Sequence, residues 1–363
     1  MLVNIVFHFD RQISLHQRLM KGLPDIMEKC LLRRISTMPI DERGGRALKV
    51  VAIVGPNASG KSDLGMDVAR RFGGEVLSAD SRQVYRRMDL GTGKVCGSPA
   101  ADEKKSVEAL GRLFDLVPLR CEGINHWLID VVEPMEPFTV AEYQKLAYAL
   151  IGEIGAKGHL PILVGGTGLY IRAVLEGLSF PQTSSEPGIR AELERLDAAS
   201  LREMLISKDP MAGDFVDLNN PRRMIRALEV LSSPGSSLGQ LRKKEPVPFE
   251  SLTVGIAMDR EELRKRIHRR LVDRLERGMI DEVAGLLGSG VTAERMESFG
   301  LEYRYISRYC AGRLSRQEMI DQLYTEICRY AKRQYTWFRK YGNVRWITNP
   351  DEALAGISGF LGA

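Results

Sequence analysis

The sequence lacks paired cysteines and long apolar segments. Its five cysteines in 363 residues include no C-x-x-C pair, and this spacing supports neither a disulfide framework nor a tetrahedral zinc site. No uncharged apolar run approaches the ~18–20 residues of a membrane-spanning helix, and the N-terminus lacks the pattern of a secretory signal. We therefore expect a cytoplasmic protein in a reducing compartment, without membrane attachment.

The sequence also lacks internal repeats and low-complexity segments. Instead, short apolar runs that suit buried strands alternate with helical patterns such as Ser62–Arg71 and Val140–Ile154. This alternation predicts an α/β fold with a parallel sheet flanked by helices. The runs lie at Lys49–Val54, Glu75–Ser78, Trp127–Val131, Pro161–Val164 and Leu252–Met258.

Changes in composition divide the chain into five predicted segments. Residues 1–46 show no sustained period and are interpreted as a peripheral extension, with Met27 or Met38 as alternative starts and a mitochondrial targeting peptide as another reading. The remaining segments are an α/β core at 47–180, a helical insertion at 181–250, a continuation of the core at 251–347 and a tail at 348–363. The expected helices outside the first core segment are Ile189–Leu205, Pro221–Leu231, Glu261–Leu287 and Ser315–Lys340.

Charge is distributed unevenly along the chain. Between Arg260 and Trp346 there are 19 Lys and Arg residues and 12 Asp and Glu residues, an excess of seven positive charges in a chain of net charge +5. A basic segment on a near-neutral body favours a polyanionic partner, because neutralising phosphates releases counterions. A solvated helical surface explains the same charge equally well.

The segment after the first apolar run fits G-x-x-x-x-G-K-[ST], the pattern of a phosphate-binding loop. It follows a predicted strand and precedes a predicted helix, which is the context that the motif requires. Backbone N–H groups cradle phosphate oxygens at the helix N-terminus, the lysine supplies charge, and the final hydroxyl can ligate Mg²⁺. The residues are Gly55, Pro56, Asn57, Ala58, Ser59, Gly60, Lys61 and Ser62.

The loop alone does not identify its phosphate ester, because kinases, ATPases and GTPases share it. An ATPase needs an acidic residue after a strand, and Asp130 and Asp80 are the candidates. Asp80 should lie at the carboxyl edge of the sheet beside the loop, where open parallel sheets bind ligands. A lone Asp after a strand is also a common turn or helix cap. A second glycine turn, Gly165–Tyr170, follows another apolar run and faces the same edge.

Seven ordered motifs resemble those of the tRNA dimethylallyltransferases, over roughly residues 49–346. Beside the phosphate loop they are D-S-x-Q-V-Y at Asp80–Tyr85, M-D-[IL]-G-T at Met88–Thr92, G-G-T-x-L-Y at Gly165–Tyr170, N-x-P-R-R-x-x-R-A-L-E at Asn219–Glu229, R-I-x-x-R at Arg266–Arg270 and K-R-Q-x-T-W-[FL]-R at Lys332–Arg339. The resemblance implies a P-loop NTPase-like sheet with an inserted helical tRNA-binding domain.

The resemblance also implies the reaction and the roles of residues. Dimethylallyl diphosphate, held with Mg²⁺, alkylates the N6 amine of the adenosine on the 3′ side of the anticodon. Asp80 takes the amine proton, Arg270 stabilises the departing diphosphate, Thr167 lies in the active-site channel and Ser62 is the metal ligand. We expect a monomer. The implied tRNA-binding residues are Asp80, Ser81, Arg82, Gln83, Arg222, Arg223, Met224, Ile225, Arg226, Lys332, Arg333, Gln334, Tyr335, Thr336, Trp337, Phe338 and Arg339.

Several segments depart from the family pattern, among them a stretch at Ser106–Gly123 that is longer than usual and H-W-L-I-D at His126–Asp130 in place of H-H-L-I-D. Gly91-Thr92-Gly93-Lys94-Val95 stands where G-T-A-K-P is usual, and Phe299–Arg304 replaces the commoner G-Y-[KR].

The sequence leaves three alternative functions open. They are a phosphate-loop kinase, a noncatalytic RNA-binding switch and a transferase that prenylates free adenine nucleotides.

Overall fold

The computed structural model describes residues 47–181, 187–233 and 235–362. Ten strands occur in these ranges: β1 (Leu48–Val54), β2 (Gly74–Ser78), β3 (Ser98–Pro99), β4 (Lys105–Ala109), β5 (Arg112–Leu116), β6 (Leu119–Cys121), β7 (Ile124–Trp127), β8 (Leu160–Gly165), β9 (Phe249–Ile256) and β10 (Arg345–Ile347). Eight of them form one sheet in the order β10-β9-β1-β8-β2-β7-β6-β3, while β4 and β5 pair separately. The predicted extension at 1–46 lies outside the described residues.

The sheet is mixed, with a parallel centre. The six strands from β10 to β7 pair in parallel, whereas β6 and β3 add an antiparallel edge beyond β7. The predicted α/β fold with a parallel sheet is therefore confirmed for the central strands. The predicted strand at Trp127–Val131 is wrong, because the strand ends at Trp127 and the positive φ values of Leu128 (61°) and Asp130 (56°) turn the chain away. The strand expected at Leu252–Met258 instead runs over Phe249–Ile256.

Thirteen α-helices occur in the described residues. They are α1 (Lys61–Phe72), α2 (Val140–Ala156), α3 (Gly168–Leu175), α4 (Pro187–Leu193), α5 (Ala198–Lys208), α6 (Ala212–Phe215), α7 (Pro221–Leu231), α8 (Arg260–Glu276), α9 (Met279–Gly288), α10 (Ala293–Ser298), α11 (Leu301–Cys310), α12 (Arg316–Lys340) and α13 (Pro350–Leu361).

Two helices that the sequence predicts as continuous are interrupted. The segment Glu261–Leu287 divides into α8 and α9 at Gly278, whose φ of 96° ends the first helix and begins the second. The segment Ile189–Leu205 divides into α4 and α5, since the Asp197 side chain caps a new helix by accepting the Ser200 N–H. Helical periodicity continues across both breaks, so it does not reveal them.

The two faces of the sheet carry separate cores, and β1 contributes to both with a period of two. Val51 and Ile53 pack with α1 and α13, whereas Val50, Ala52 and Val54 pack with the helices of the opposite face. The predicted tail at 348–363 is therefore largely the helix α13, which packs two fully buried residues, Ala353 and Ile357, against the sheet.

Helices α4 to α7 form a region with its own core, centred on buried residues such as Leu201, Leu205, Met224 and Leu228. The chain enters and leaves this region through one pair of neighbouring segments, because Leu178 and Lys244 form an antiparallel bridge. Backbone bonds from Ser179 N–H to the Lys243 carbonyl and from Glu245 N–H to the Gly177 carbonyl, both 2.8–2.9 Å, close the connection. No helix in the described ranges is long and apolar enough to cross a membrane.

Candidate active site

A cavity of about 440 Å³ opens where the segments that follow β1, β2 and β8 meet. Its wall includes Lys61 from the phosphate loop, Asp80 after β2, Thr167 after β8 and Arg270 from α8. Ligands of open parallel sheets bind at this carboxyl edge. The fold thus brings together four candidate residues that lie far apart in the sequence.

The phosphate loop has the backbone conformation that its glycines permit. Gly55 and Gly60 have φ values of 154° and 91°, and α1 begins directly after the loop. Asn57, Lys61 and the exposed Ser62 line the cavity, as does Ala58. Ser59 is buried, and its hydroxyl oxygen has no hydrogen-bond partner among the residues that the structure describes. The loop therefore carries an unsatisfied polar group beside an open cavity.

Lys61 is the charged group of this loop. Its ammonium donates to the Pro56 carbonyl at 2.7 Å. Burial and the nearby Arg270 guanidinium lower the pKa of Lys61 to about 8, against the opposing effect of Asp80. A bound anion would raise the pKa of Lys61 back towards its ordinary value, because it favours the protonated amine.

Asp80 lies in a turn that is held at both ends. One carboxylate oxygen accepts the Arg82 N–H at 2.8 Å, while the Thr167 hydroxyl oxygen accepts the Ser81 N–H at 3.1 Å. The second Asp80 oxygen has no hydrogen-bond donor within the described part of the chain, and the residue faces the cavity. Both readings of Asp80 fit this geometry, because it closes a turn with one oxygen and leaves the other for a ligand.

Gln334 of α12 connects the two glycine turns. Its side-chain oxygen accepts the Asn57 N–H at 2.9 Å, and its amide donates to the Asn57 side chain at 3.2 Å and to the Gly166 carbonyl at 2.9 Å. The residue is 6% exposed. The hydrogen-bonding groups of this side chain are therefore used inside the protein, and a contact of Gln334 with tRNA stays a prediction.

The loop at residues 89–94 is fixed from two sides. The Glu282 carboxylate accepts the N–H groups of Asp89, Leu90 and Gly91 at 2.8, 2.6 and 3.1 Å, as well as the Tyr303 hydroxyl at 2.7 Å. Sequence reasoning missed Glu282. Its only signal is its place in the first turn of a helix, which is common among surface acids.

Lys94 fixes the other end of this loop. Its buried ammonium donates to the Tyr85 carbonyl at 2.7 Å and pairs with Asp89 and Asp130 at 2.7 and 2.5 Å. Asp130 therefore anchors a loop and does not line the cavity. This arrangement removes Asp130 as a candidate for the acidic residue of an ATPase.

Arg270 lies beside a second arginine, Arg274, one helical turn further along α8. Desolvation and the charge of Arg274 lower the pKa of Arg270 to about 10, so the guanidinium stays charged at neutral pH. Arg274 donates to the Gly91 carbonyl at 3.3 Å and pairs with Glu302 at 3.7 Å. Sequence reasoning missed Arg274 and its ion-pair partner Glu302. The spacing of four residues between Arg270 and Arg274 is the signal that places both arginines on one face of the helix.

The arginines predicted to bind tRNA on α7 differ in exposure. Arg222 is exposed and lines the cavity, and Arg223 is exposed with Asp217 at 3.9 Å. Arg226 bonds to Glu229 at 3.1 Å and to the Pro181 carbonyl at 2.9 Å. Met224 and Ile225, predicted in the same group, are instead buried at 0% and 5% exposure in the core of the helical region, so their side chains are not available to RNA.

On α12 the basic residues Lys332, Arg333 and Arg339 are exposed, as is Thr336, and Arg333 lines the cavity. Tyr335 is partly buried and packs against Trp346 with ring centroids 5.0 Å apart. Trp337 stacks on Tyr341 at 5.5 Å. Phe338 is fully buried because α12 turns this residue towards the core, so its side chain is not available to RNA.

Comparison with known proteins shows relatives that match this chain over most of its length. A family model described as IPP transferase matches residues 83–341. A tRNA dimethylallyltransferase of Syntrophus aciditrophicus is 41% identical over 312 residues, covering 84% of this chain and 95% of that protein. One from Acetivibrio thermocellus is 40% identical over 310 residues, covering 84% and 92%. The crystal structure of a tRNA isopentenylpyrophosphate transferase from Bacillus halodurans is similar at 36% identity and a TM-score of 0.60, covering 87% of this chain and 96% of that one.

Proposed function

This chain belongs to the IPP transferase family, and we propose that it transfers a dimethylallyl group from dimethylallyl diphosphate to tRNA. The acceptor is the N6 amine of the adenosine on the 3′ side of the anticodon, and diphosphate is the second product. The resemblance seen in the sequence motifs is thus confirmed at the level of the family.

The observation that carries this proposal is the cavity that joins a phosphate loop to a carboxylate. A hydrolase of nucleotides needs a phosphate site and a water, whereas an alkylation of an amine needs a phosphate site and a group that accepts a proton. Asp80 lines the same cavity as Lys61 and presents an oxygen that the turn does not use. The carboxylate can therefore take the N6 proton as the carbon–nitrogen bond forms.

The leaving diphosphate is held by cations and backbone groups on the other side of this cavity. Lys61 and Arg270 supply charge at the cavity wall, and the buried Ser59 hydroxyl, which has no partner among the described residues, is a further donor within the loop. The Ser62 hydroxyl fits the role of a Mg²⁺ ligand, because Mg²⁺ at phosphate sites takes few protein oxygens and several from phosphate and water. When bound, the metal would neutralise charge on the diphosphate.

The tRNA reaches the cavity along a basic rim. Arg222 of α7 and Arg333 of α12 line the cavity, and Lys332 and Arg339 are exposed on α12. Entry of the acceptor base requires it to leave its stack, which places the neighbouring phosphates against this rim. Action as a monomer in a reducing cytoplasm completes the proposal, and the free cysteines Cys96, Cys121, Cys310 and Cys328 fit that compartment.

The proposal is tested by incubating the full chain with radiolabelled dimethylallyl diphosphate, Mg²⁺ and either unmodified tRNA or AMP. Label should enter tRNA at one adenosine and leave AMP unlabelled. Transfer to AMP alone would identify a cytokinin-forming enzyme instead. Turnover of ATP without a prenyl donor would support a kinase.

The use of the donor should depend on pH through Lys61. Because the pKa of Lys61 is lowered to about 8, the free enzyme loses the positive charge of this residue as the pH rises through 8. We expect kcat/KM for dimethylallyl diphosphate to fall above about pH 8. At saturating donor, kcat should keep its value to higher pH, since the bound diphosphate raises the pKa of the amine again. If kcat and kcat/KM for the donor fell over the same range of high pH, this role for Lys61 would be contradicted.

The basic rim should determine how tRNA binding responds to salt. Replacing Arg222 and Arg223 together by Ala is expected to raise KM for tRNA and to flatten its dependence on salt, by about one unit of slope for each phosphate that the variant no longer binds. Arg195→Ala, an exposed arginine of the same helical region outside the cavity, is the matched control. Equal salt slopes in the wild type and the double variant would show that the α7 arginines are only solvated.

A further inference from the structure

Arg270 and Arg274 meet at a glycine of the loop at residues 89–94. The point that a Cβ at Gly93 would occupy lies 2.2 Å from the Arg270 Nη2 and 1.7 Å from the Arg274 Nη2. These two nitrogens are therefore at most 3.9 Å apart, the total of the two distances. Any side chain at position 93 would displace both guanidinium groups, and the φ of 64° there also favours glycine.

Two guanidinium groups this close repel each other, whereas the carboxylates of Glu302 and Asp80 attract both. Arg274 pairs with Glu302 at 3.7 Å and donates through Nη1 to the Gly91 carbonyl. The Arg274 Nη2, in a residue only 9% exposed, has no acceptor among the described residues, nor does the Arg270 guanidinium have one there. Arg270, which is exposed, and Arg274 both line the cavity, so their open donors are available to water or to a bound anion.

The cavity as a whole is also lined mainly by positively charged side chains. Seven basic side chains line it, against the two carboxylates Asp80 and Glu302. Lys61 is close enough to Arg270 for the two charges to influence each other. An anion that bridges Lys61, Arg270 and Arg274 removes this repulsion and satisfies the open donors.

We propose that Arg274 is a second guanidinium ligand of the diphosphate, acting with Arg270 on the leaving group, and that Gly93 and Glu302 are present to accommodate it. This inference rests on the proposed function. The C1–O bond of the donor breaks with its electron pair going to the diphosphate oxygen, the C1–N6 bond forms, and the N6 proton passes to Asp80. Arg274 donates to the diphosphate oxygens that gain charge in this step.

Gly93 and Glu302 both lie in segments that depart from the family pattern, and the proposal gives each a role. Glycine at position 93 in place of alanine leaves the space that the Arg274 guanidinium occupies. Glu302, in a segment where a basic residue is common, supplies the negative charge that keeps Arg274 in the cavity before the donor binds. Burial raises the pKa of Glu302, while Arg274 favours its ionised form.

The test measures the binding of inorganic diphosphate, with Mg²⁺ present, to the full chain by calorimetry. Arg274→Met is expected to weaken binding roughly 10- to 100-fold, the range for removing a hydrogen bond to a charged group, and to lower kcat/KM for the donor in parallel. Arg277→Met, an exposed arginine at the end of the same helix with Asp273 at 3.4 Å, is the control and should bind diphosphate like the wild type. Unfolding temperature and tRNA affinity report on whether each variant keeps its fold.

The double variant Arg274→Met/Glu302→Gln separates a direct contact from simple neutralisation of Glu302. If Arg274 binds diphosphate, the double variant stays as weak as Arg274→Met. Recovery of wild-type affinity in the double variant, or unchanged affinity in a folded Arg274→Met, would overturn the proposal. Transfer to tRNA by the unaltered chain tests the proposed function separately, so the two failures are distinguishable.

Discussion

Asp80→Asn should slow the transfer of the dimethylallyl group to tRNA by roughly 10²-fold or more, while the chain still folds and binds both substrates. The asparagine side-chain oxygen can still accept the Arg82 N–H, a bond of 2.8 Å in the wild type, so the turn after β2 is retained. What it cannot do is accept the N6 proton. Single-turnover transfer, with tRNA binding measured separately, isolates this step.

The same variant also decides between the two readings of Asp80. Asparagine caps turns almost as well as aspartate, so a purely structural Asp80 predicts near-normal transfer in Asp80→Asn. Asp67→Asn is a matched control, because it removes an exposed carboxylate of α1 that pairs with Arg70 outside the cavity. Normal single-turnover rates in Asp80→Asn would require another base.

Lys61→Ala should lower kcat/KM for dimethylallyl diphosphate by about 10²- to 10³-fold, the usual effect of removing a charged stabiliser of a leaving group. The variant also loses the bond of 2.7 Å to the Pro56 carbonyl, which helps to hold the loop. Ser62→Ala removes a hydroxyl and no charge, so its effect should be smaller and should shrink further at high Mg²⁺. Initial rates over a range of donor concentrations at saturating tRNA measure both effects.

Lys61→Arg separates charge from shape in this experiment, since it keeps the charge with different geometry and is expected to recover part of the loss. Wild-type kcat/KM for the donor in Lys61→Ala would remove the loop lysine from the mechanism. That result would leave the two α8 arginines as the cations on the diphosphate.

The parts of this fold that the sequence predicts well are those with local signals. The phosphate loop has a strand, glycines and a helix in one segment, and the helix at Pro221–Leu231 begins with an Asn–Pro cap and matches the structure at both ends. The sequence does not predict the breaks at Gly278 and Asp197, because an apolar period that continues across a break does not mark it.

The parts that the sequence does not reveal depend on contacts between distant segments. Glu282 binds a loop nearly two hundred residues earlier, and Arg274 occupies space that Gly93 leaves open. Met224 and Phe338 lie within motifs associated with tRNA, yet both are buried. A motif records which residues occur together and not which of them face the ligand.

The hydrogen bonds of Gln334 fix the two glycine turns before any ligand binds. One side chain of α12 bonds to both glycine turns that line the cavity, so the shape of these turns is completed when the chain folds. The conformational entropy of the phosphate loop is then lost during folding, and the arrival of a donor does not have to repeat that loss. A small, highly hydrated anion can therefore bind without the additional entropic cost of ordering the loop.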